Sequence, residues 1–148
     1  MRITTWTEYS LILAVRLARR AEEGLGPVSA RALAEQERLP TDYAEQILLR
    51  LRRAEIISSV RGARGGYQLA RPPADITVLD IMRVAEHQIF EINCEVHPVD
   101  DERCAKDASC TIRPVWRALR ARVDDLLTQV TLADLLKEEA EVEVLVGL

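Results

Sequence analysis

The residues best suited to chemistry in this 148-residue chain are its three cysteines, Cys94, Cys104 and Cys110, separated by nine and then five residues with none elsewhere. Buried core cysteines scatter along a sequence, whereas these occupy one stretch, so three unrelated free thiols are the weaker reading. Three thiols in a reducing compartment argue against a structural disulfide. Thiolates at such spacing on a loop can hold iron–sulfur iron or zinc, and they fall one ligand short of a set of four. His97, three residues after Cys94, would complete a Cys₃His zinc site. Glu8 is an alternative if the first helix of one subunit reaches the loop of another; a carboxylate is a weak, exchangeable ligand, which suits a sensor. His87 or an exogenous ligand also remains open for the fourth position. Catalysis finds little support. Cys104 or Cys110 with His97 would imitate a thiol–histidine pair, but no orienting partner follows. The glycine run 62–66 lacks the lysine and hydroxyl of a phosphate-binding loop. An enzyme is not expected.

A second constellation is basic. Residues 1–71 hold 12 arginines against 8 acids, and residues 72–148 hold 8 basic residues against 16 acids, so a net charge of −4 conceals halves of +4 and −8. The first half can meet phosphate and the second should not. Within the basic half, a helix beginning at Thr41 carries Glu45, Gln46, Arg50 and Arg53 mostly on the side away from its apolar stripe, and Thr41 and Tyr43 at its start join Glu45, Gln46 and Arg50 as candidate DNA contacts in the major groove. Glu45 can accept from a cytosine amino group and Gln46 can pair with adenine, while Arg50 and Arg53 suit phosphates. Arg61 and Arg64 flank glycines that allow close approach to a groove, and arginine is favoured in narrow minor grooves.

These residues need elements to hold them. Hydroxyl caps at Thr4 and Thr5 and apolar residues Tyr9, Ile12, Leu13 and Leu17 predict a helix to about Glu22, ending before Gly24 and Gly26. Ser29 caps a short helix over 30–36, which Leu39-Pro40 breaks. Thr41-Asp42 caps the next, from Tyr43 to about Ala54, with Ala44, Ile47, Leu48 and Leu51 inward. That order is a helix-turn-helix. The β-branched run 56–60, the basic glycine turn 61–66 and the returning run 67–69 predict a wing, closed by Pro72-Pro73. Thr77 caps a helix to about Ala85. No periodicity survives from 88 to 109, the cysteine segment. Thr111 and Pro114 mark the start of a long helix whose seam is Val115, Leu119, Val123, Leu126 and Val130. That is more apolar surface than one small domain needs, so it is expected to pair with its symmetry mate. Thr131 is read as capping a last short helix over 132–139; the apolar tail 142–148 has no assigned structure.

The expected fold class is therefore mainly α with a small β-hairpin wing: a winged helix-turn-helix over 1–86, a cysteine-bearing ligand loop over 87–110, and a dimerisation helix with a C-terminal helix or tail over 111–148. The opening residues lack the apolar run of a signal peptide and no stretch suits a membrane span, so the cytoplasm is the expected compartment. The expected partners are a palindromic double-stranded DNA operator and a second copy of the chain, with no membrane. Rival readings are a zinc-stabilised or thiol-based winged-helix regulator without a cluster, a winged-helix protein-interaction module, and a thiol redox enzyme.

In order along the chain, MRIT at 1–4, YAEQIL at 43–48, LRRA at 51–54, SVRG at 59–62, GGYQLARPP at 65–73 and TLADL at 131–135 resemble the IscR/NsrR-type bacterial repressors, the Rrf-two family, over nearly the whole chain to about Leu136. The resemblance implies a dimeric winged helix, an iron–sulfur cluster on the three cysteines, and repression released when that cluster is damaged or lost. The cysteine spacing departs from the even IscR-like pattern, and Arg113 stands where that branch has a histidine ligand. The NsrR-like branch, a nitric oxide sensor with a 4Fe–4S cluster, tolerates arginine there and takes its fourth ligand from an acidic residue in the first helix, matching Glu8. A glutamate–histidine pair on that helix would indicate a 2Fe–2S redox switch, but position 12 is Ile12. The resemblance thus points to 4Fe–4S, with 2Fe–2S or zinc as alternatives.

Overall fold

The computed structural model describes residues 3–86 and 89–148; Met1 and Arg2 of the first matching block, and His87 among the candidate ligands, lie outside them. Helix α1 spans Thr5–Glu22, with the Thr4 hydroxyl accepting from the Thr7 amide. Helix α2 spans Ala30–Glu37 behind a Ser29 cap and ends on Arg38, which takes a left-handed conformation at φ 55°. Helix α3 spans Thr41–Arg53. Here the expected side-chain cap is absent: Pro40 occupies the cap position with no side-chain bond, and Thr41 is already helical. Proline fixes the entry dihedral, here φ −60°, and the Pro40 carbonyl accepts from the Ala44 amide at 3.1 Å, but no side chain takes the place of the expected hydroxyl.

Strand β1, Ile57–Val60, pairs antiparallel with β2, Gly66–Leu69, in the register Ile57 to Leu69 and Val60 to Gly66. An isolated bridge adds Val28, which exchanges two backbone bonds with Tyr67 at 3.0 and 2.7 Å. The wing is thus fastened to the chain entering α2. Helix α4, Val78–Ala85, starts with a full capping box between Thr77 and Asp80. Leu13, Leu17, Leu33, Ile47, Leu48, Leu51, Ile57 and Ile81 are all at most 2% exposed and form one core with Leu132. Leucine, isoleucine and valine carry it, as a chain with one phenylalanine requires.

Beyond α4, the segment read as patternless contains a four-residue helix, α5, Asn93–Val96. Helix α6 spans Arg113–Gln129 with Pro114 in its first turn. Val130 and Leu132 return to the winged domain: the Val78 amide donates to the Val130 carbonyl at 2.9 Å and the Leu132 amide to the Ile76 carbonyl at 2.8 Å. The expected helix over 132–139 is corrected to a 3₁₀ turn, Asp134–Leu136. The tail is helical instead: α7, Glu139–Val146, begins with a Glu138–Glu141 capping box and ends on left-handed Gly147. No helix among the described residues is long and apolar enough to cross a membrane.

Candidate functional site

The three cysteines face one cavity of about 990 Å³. Cys94 comes from α5, Cys104 from a turn whose amide donates to the Asp100 carbonyl at 2.9 Å, and Cys110 from the residues leading into α6. All three are free and half-buried. Trp116 and Ile112 supply apolar wall, while Arg103, Lys106, Arg113 and Arg117 supply positive charge. The backbone N–H of Arg113, then that of Ile112, holds the Cys110 thiol below its ordinary pKa, with the Arg113 and Arg103 charges adding to the effect. The start of α6 therefore favours Cys110 as thiolate, the ligating form.

The donor set is three thiols on the wall of one cavity. Zinc needs its thiolates within about 2.3 Å of one point, yet among the described residues no three His, Cys, Asp or Glu side chains group closely enough to hold one metal ion. Iron–sulfur clusters take thiolates on separate irons, so Cys94, Cys104 and Cys110 are chemically able to hold one. His97 is exposed and does not line the cavity. Glu8 is exposed on α1 beside Ile12, and neither lines the cavity of its own chain.

The residues expected to meet DNA lie on α3 and the wing turn. Tyr43, Glu45, Gln46 and Arg50 are exposed and Thr41 is half-buried. Arg50 lies 4.4 Å over the Trp6 ring, and Trp6 and Tyr9 lie 5.1 and 5.9 Å from the Tyr43 ring. Arginine stacked on indole keeps its N–H edge available while losing conformational freedom. Arg61 and Arg64 are exposed in the wing turn. Arg52 reaches Ser59 of β1 at 3.5 Å, tying α3 to the wing. Trp6 and Arg52 escaped the sequence reading, because nothing in their spacing announces an aromatic stack or a helix-to-wing tie.

Glu86 ties the end of α4 to the start of α1. Its carboxylate accepts from the Thr4 hydroxyl and, at 3.2 Å, from that of buried Thr7. Glu86 follows the last residue of α4, on the path to the cysteine segment, while Thr4 and Thr7 bracket the first turn of α1.

A family model described as an iron-dependent transcriptional regulator, Rrf2, matches residues 3–138. The chain is 37% identical to the HTH-type transcriptional regulator CymR of Bacillus subtilis, over 91% of its length and 89% of that protein's. It is 30% identical to the HTH-type transcriptional regulator IscR of Sodalis glossinidius, over 97% and 84% of the two lengths. Its structure is similar to that of CymR, the global cysteine regulator of B. subtilis, with TM-score 0.75 at 33% identity, covering 91% of this chain and 95% of that one. It is also similar to T. potens IscR, with TM-score 0.71 at 36% identity, covering 95% and 90%.

Proposed function

The chain belongs to the Rrf2 family of winged-helix transcriptional regulators, DNA-binding proteins rather than enzymes, and from that premise we propose that its operator affinity is set by an iron–sulfur cluster on Cys94, Cys104 and Cys110. The observation that carries the proposal is the convergence of all three thiols on one cavity with Cys110 held toward thiolate. A bound cluster would supply a centre that nitric oxide, oxidant or iron shortage can damage or remove.

The chain's own residues supply the rest. Three thiols leave one coordination position open, and no α1 residue of the same chain lines the cavity. Glu8 of a partner subunit would fill it, in a homodimer paired along α6. The assembly then divides as winged domain, ligand loop and dimer helix, over 1–86, 87–110 and 111–148. Glu8 lies on the same first turn of α1 as Trp6 and Thr7. A pull on that turn reaches α3 directly through Trp6, Arg50 and Tyr43. Two recognition helices held at a fixed separation would match a palindromic operator. Thr41, Tyr43, Glu45 and Gln46 would face bases, Arg50 a phosphate, and Arg61 and Arg64 the adjacent groove.

A second reading has its own support. The CymR relatives include a structure of the Staphylococcus aureus protein in an oxidized form, to which this chain is similar at TM-score 0.70 and 36% identity. Three half-buried thiols on one cavity also suit a thiol-based regulator without a cluster. Purification without oxygen, followed by an absorption spectrum with iron and sulfide analysis, separates the two. A broad visible band with matching iron and sulfide is expected for the cluster. A colourless protein that stays iron-free after anaerobic reconstitution would leave the thiol reading.

A further inference from the structure

Arg113 cannot ligate iron, yet from the first turn of α6 its side chain makes four hydrogen bonds to the backbone of the cysteine segment. One guanidinium nitrogen donates to the carbonyls of Lys106 and Ala108 at 3.0 and 3.5 Å, and another to those of Cys104 and Ala105 at 3.3 and 2.8 Å. Four carbonyls of the connection from Cys104 toward Cys110 therefore converge on one planar fork, a geometry that arginine offers and lysine does not. Little else orders this connection from within: the Ala105 amide reaches the Glu102 carbonyl at 3.3 Å and the Ala108 amide the Ala105 carbonyl at 3.1 Å.

The other arm of the site is held differently. Arg120, two turns further along α6 and so on the same face, donates to the Phe90 carbonyl at 3.4 Å and to the Glu95 carboxylate at 3.2 Å. That ion pair is more than a third exposed on both sides, and exposed pairs hold weakly. One face of α6 thus reaches both cysteine arms, with four bonds to carbonyls between Cys104 and Cys110 and one carbonyl bond and an exposed ion pair at the arm of Cys94.

We propose that Arg113 is a positioning residue that pre-forms the Cys104–Cys110 half of the thiol site, leaving Cys94 on the arm that moves when the ligand is lost. The functional consequence rests on the reading of these cysteines as ligands; the clamp itself does not. With the Cys104–Cys110 connection ordered beforehand, ligand binding there carries a small conformational cost, and the ordering falls on the segment around α5. That segment leads back to Glu86, whose carboxylate holds Thr4 and Thr7 at the start of α1. Release of Cys94 would therefore disturb the turn that carries Glu8, while Cys104 and Cys110 stay ordered by the Arg113 clamp to receive a new ligand.

The test is amide hydrogen exchange on the full-length, metal-free chain as wild type, R113K and R113M, with cobalt(II) titration of each as a thiolate probe. In the wild type, the segment 104–112 is expected to exchange about tenfold more slowly than 89–97, the cost of ordering a few residues. R113M is expected to abolish that difference, leave α1–α4 unchanged and weaken cobalt(II) binding about tenfold; R113K should fall between, since one ammonium cannot reach four carbonyls. Unchanged exchange over 104–112 in R113M would overturn the clamp. If R113M unfolds the chain, R113K decides by the same criterion. Expected exchange in a protein whose thiols bind neither cobalt nor iron and sulfide would keep the clamp and overturn the ligand reading, so the two failures are distinguishable.

Discussion

Gly66 shows how narrowly one residue can decide whether the wing forms. It sits at φ 145°, and a Cβ there would lie 2.3 Å from the Val28 carbonyl carbon and oxygen. The neighbour is backbone and cannot swing away, and Val28 belongs to the bridge that fastens the wing to α2. Gly66→Ala is therefore expected to cost about 2–4 kcal/mol of stability, read by urea unfolding, and to lose DNA binding through displacement of Arg61 and Arg64. Those arginines make a separate expectation, because they are exposed and hold no buried structure. Replacing both by alanine should leave stability within about 0.5 kcal/mol and reduce the magnitude of the slope of log affinity against log salt by about 4 for a dimer, about 1 for each of the four arginines lost. An unchanged slope in a fluorescence-anisotropy titration would remove the wing from the DNA face. The thiols were legible at this scale because cysteine is rare and its clustering stands out. Trp6 and Arg113 were not, because a stack on Arg50 and a clamp on four carbonyls depend on where the fold brings distant or irregular backbone.

Among the elements, caps separate what was legible from what was not. Thr4, Ser29 and Thr77 announced their helices because a hydroxyl and the amide it bonds are three residues apart, a local relation. Helix α3 was placed correctly with the wrong cap. Helix α7 was not found: its alternating Glu and Val residues carry a strand-like period of two, and the helix forms through the Glu138–Glu141 box and the Gly147 cap instead. Helix α5, at four residues, is too short for any periodicity. Thr131, expected to cap a helix over 132–139, instead precedes a 3₁₀ turn, with the Asp134 carboxylate accepting from the Thr131 amide at 3.0 Å and from its hydroxyl at 2.8 Å. Lys137, then the Thr131 amide and hydroxyl, pull the Asp134 pKa down to about 2. A carboxyl depressed in the folded state stabilises it above the unfolded value, near 3.9 for aspartate, and that contribution is lost as pH falls through about 4 toward 2. Asp134→Asn should therefore be less stable than wild type at pH 7 and show a smaller loss between pH 4 and 2. Parallel stability curves across that range, measured by urea unfolding at each pH, would contradict the assignment.

At the scale of the whole molecule, α6 is anchored at one end. Val130 and Leu132 fix its C-terminal end to α4 and the core, while its N-terminal end, about 25 Å away at 1.5 Å per residue, carries Cys110 and the clamps. None of its residues is buried, and Val115, Leu119 and Leu126 are 58, 40 and 43% exposed. A helix with its apolar seam in water suits a second copy. Val115→Glu with Leu119→Glu is expected to give a folded monomer, with stability of the winged domain within about 0.5 kcal/mol, and operator affinity lowered at least about tenfold by loss of paired half-sites. Sedimentation velocity reads the first effect and anisotropy the second; a dimer that persists would move the interface elsewhere.

The most direct test of the account compares operator affinity, without oxygen and at one fixed salt concentration, for protein carrying iron and sulfide, the same protein after treatment with nitric oxide, and Cys110→Ala. Tight binding is expected for the first and at least about tenfold weaker binding for the other two, the usual range for linked sites. Equal affinity in all three would contradict control of DNA binding through Cys94, Cys104 and Cys110.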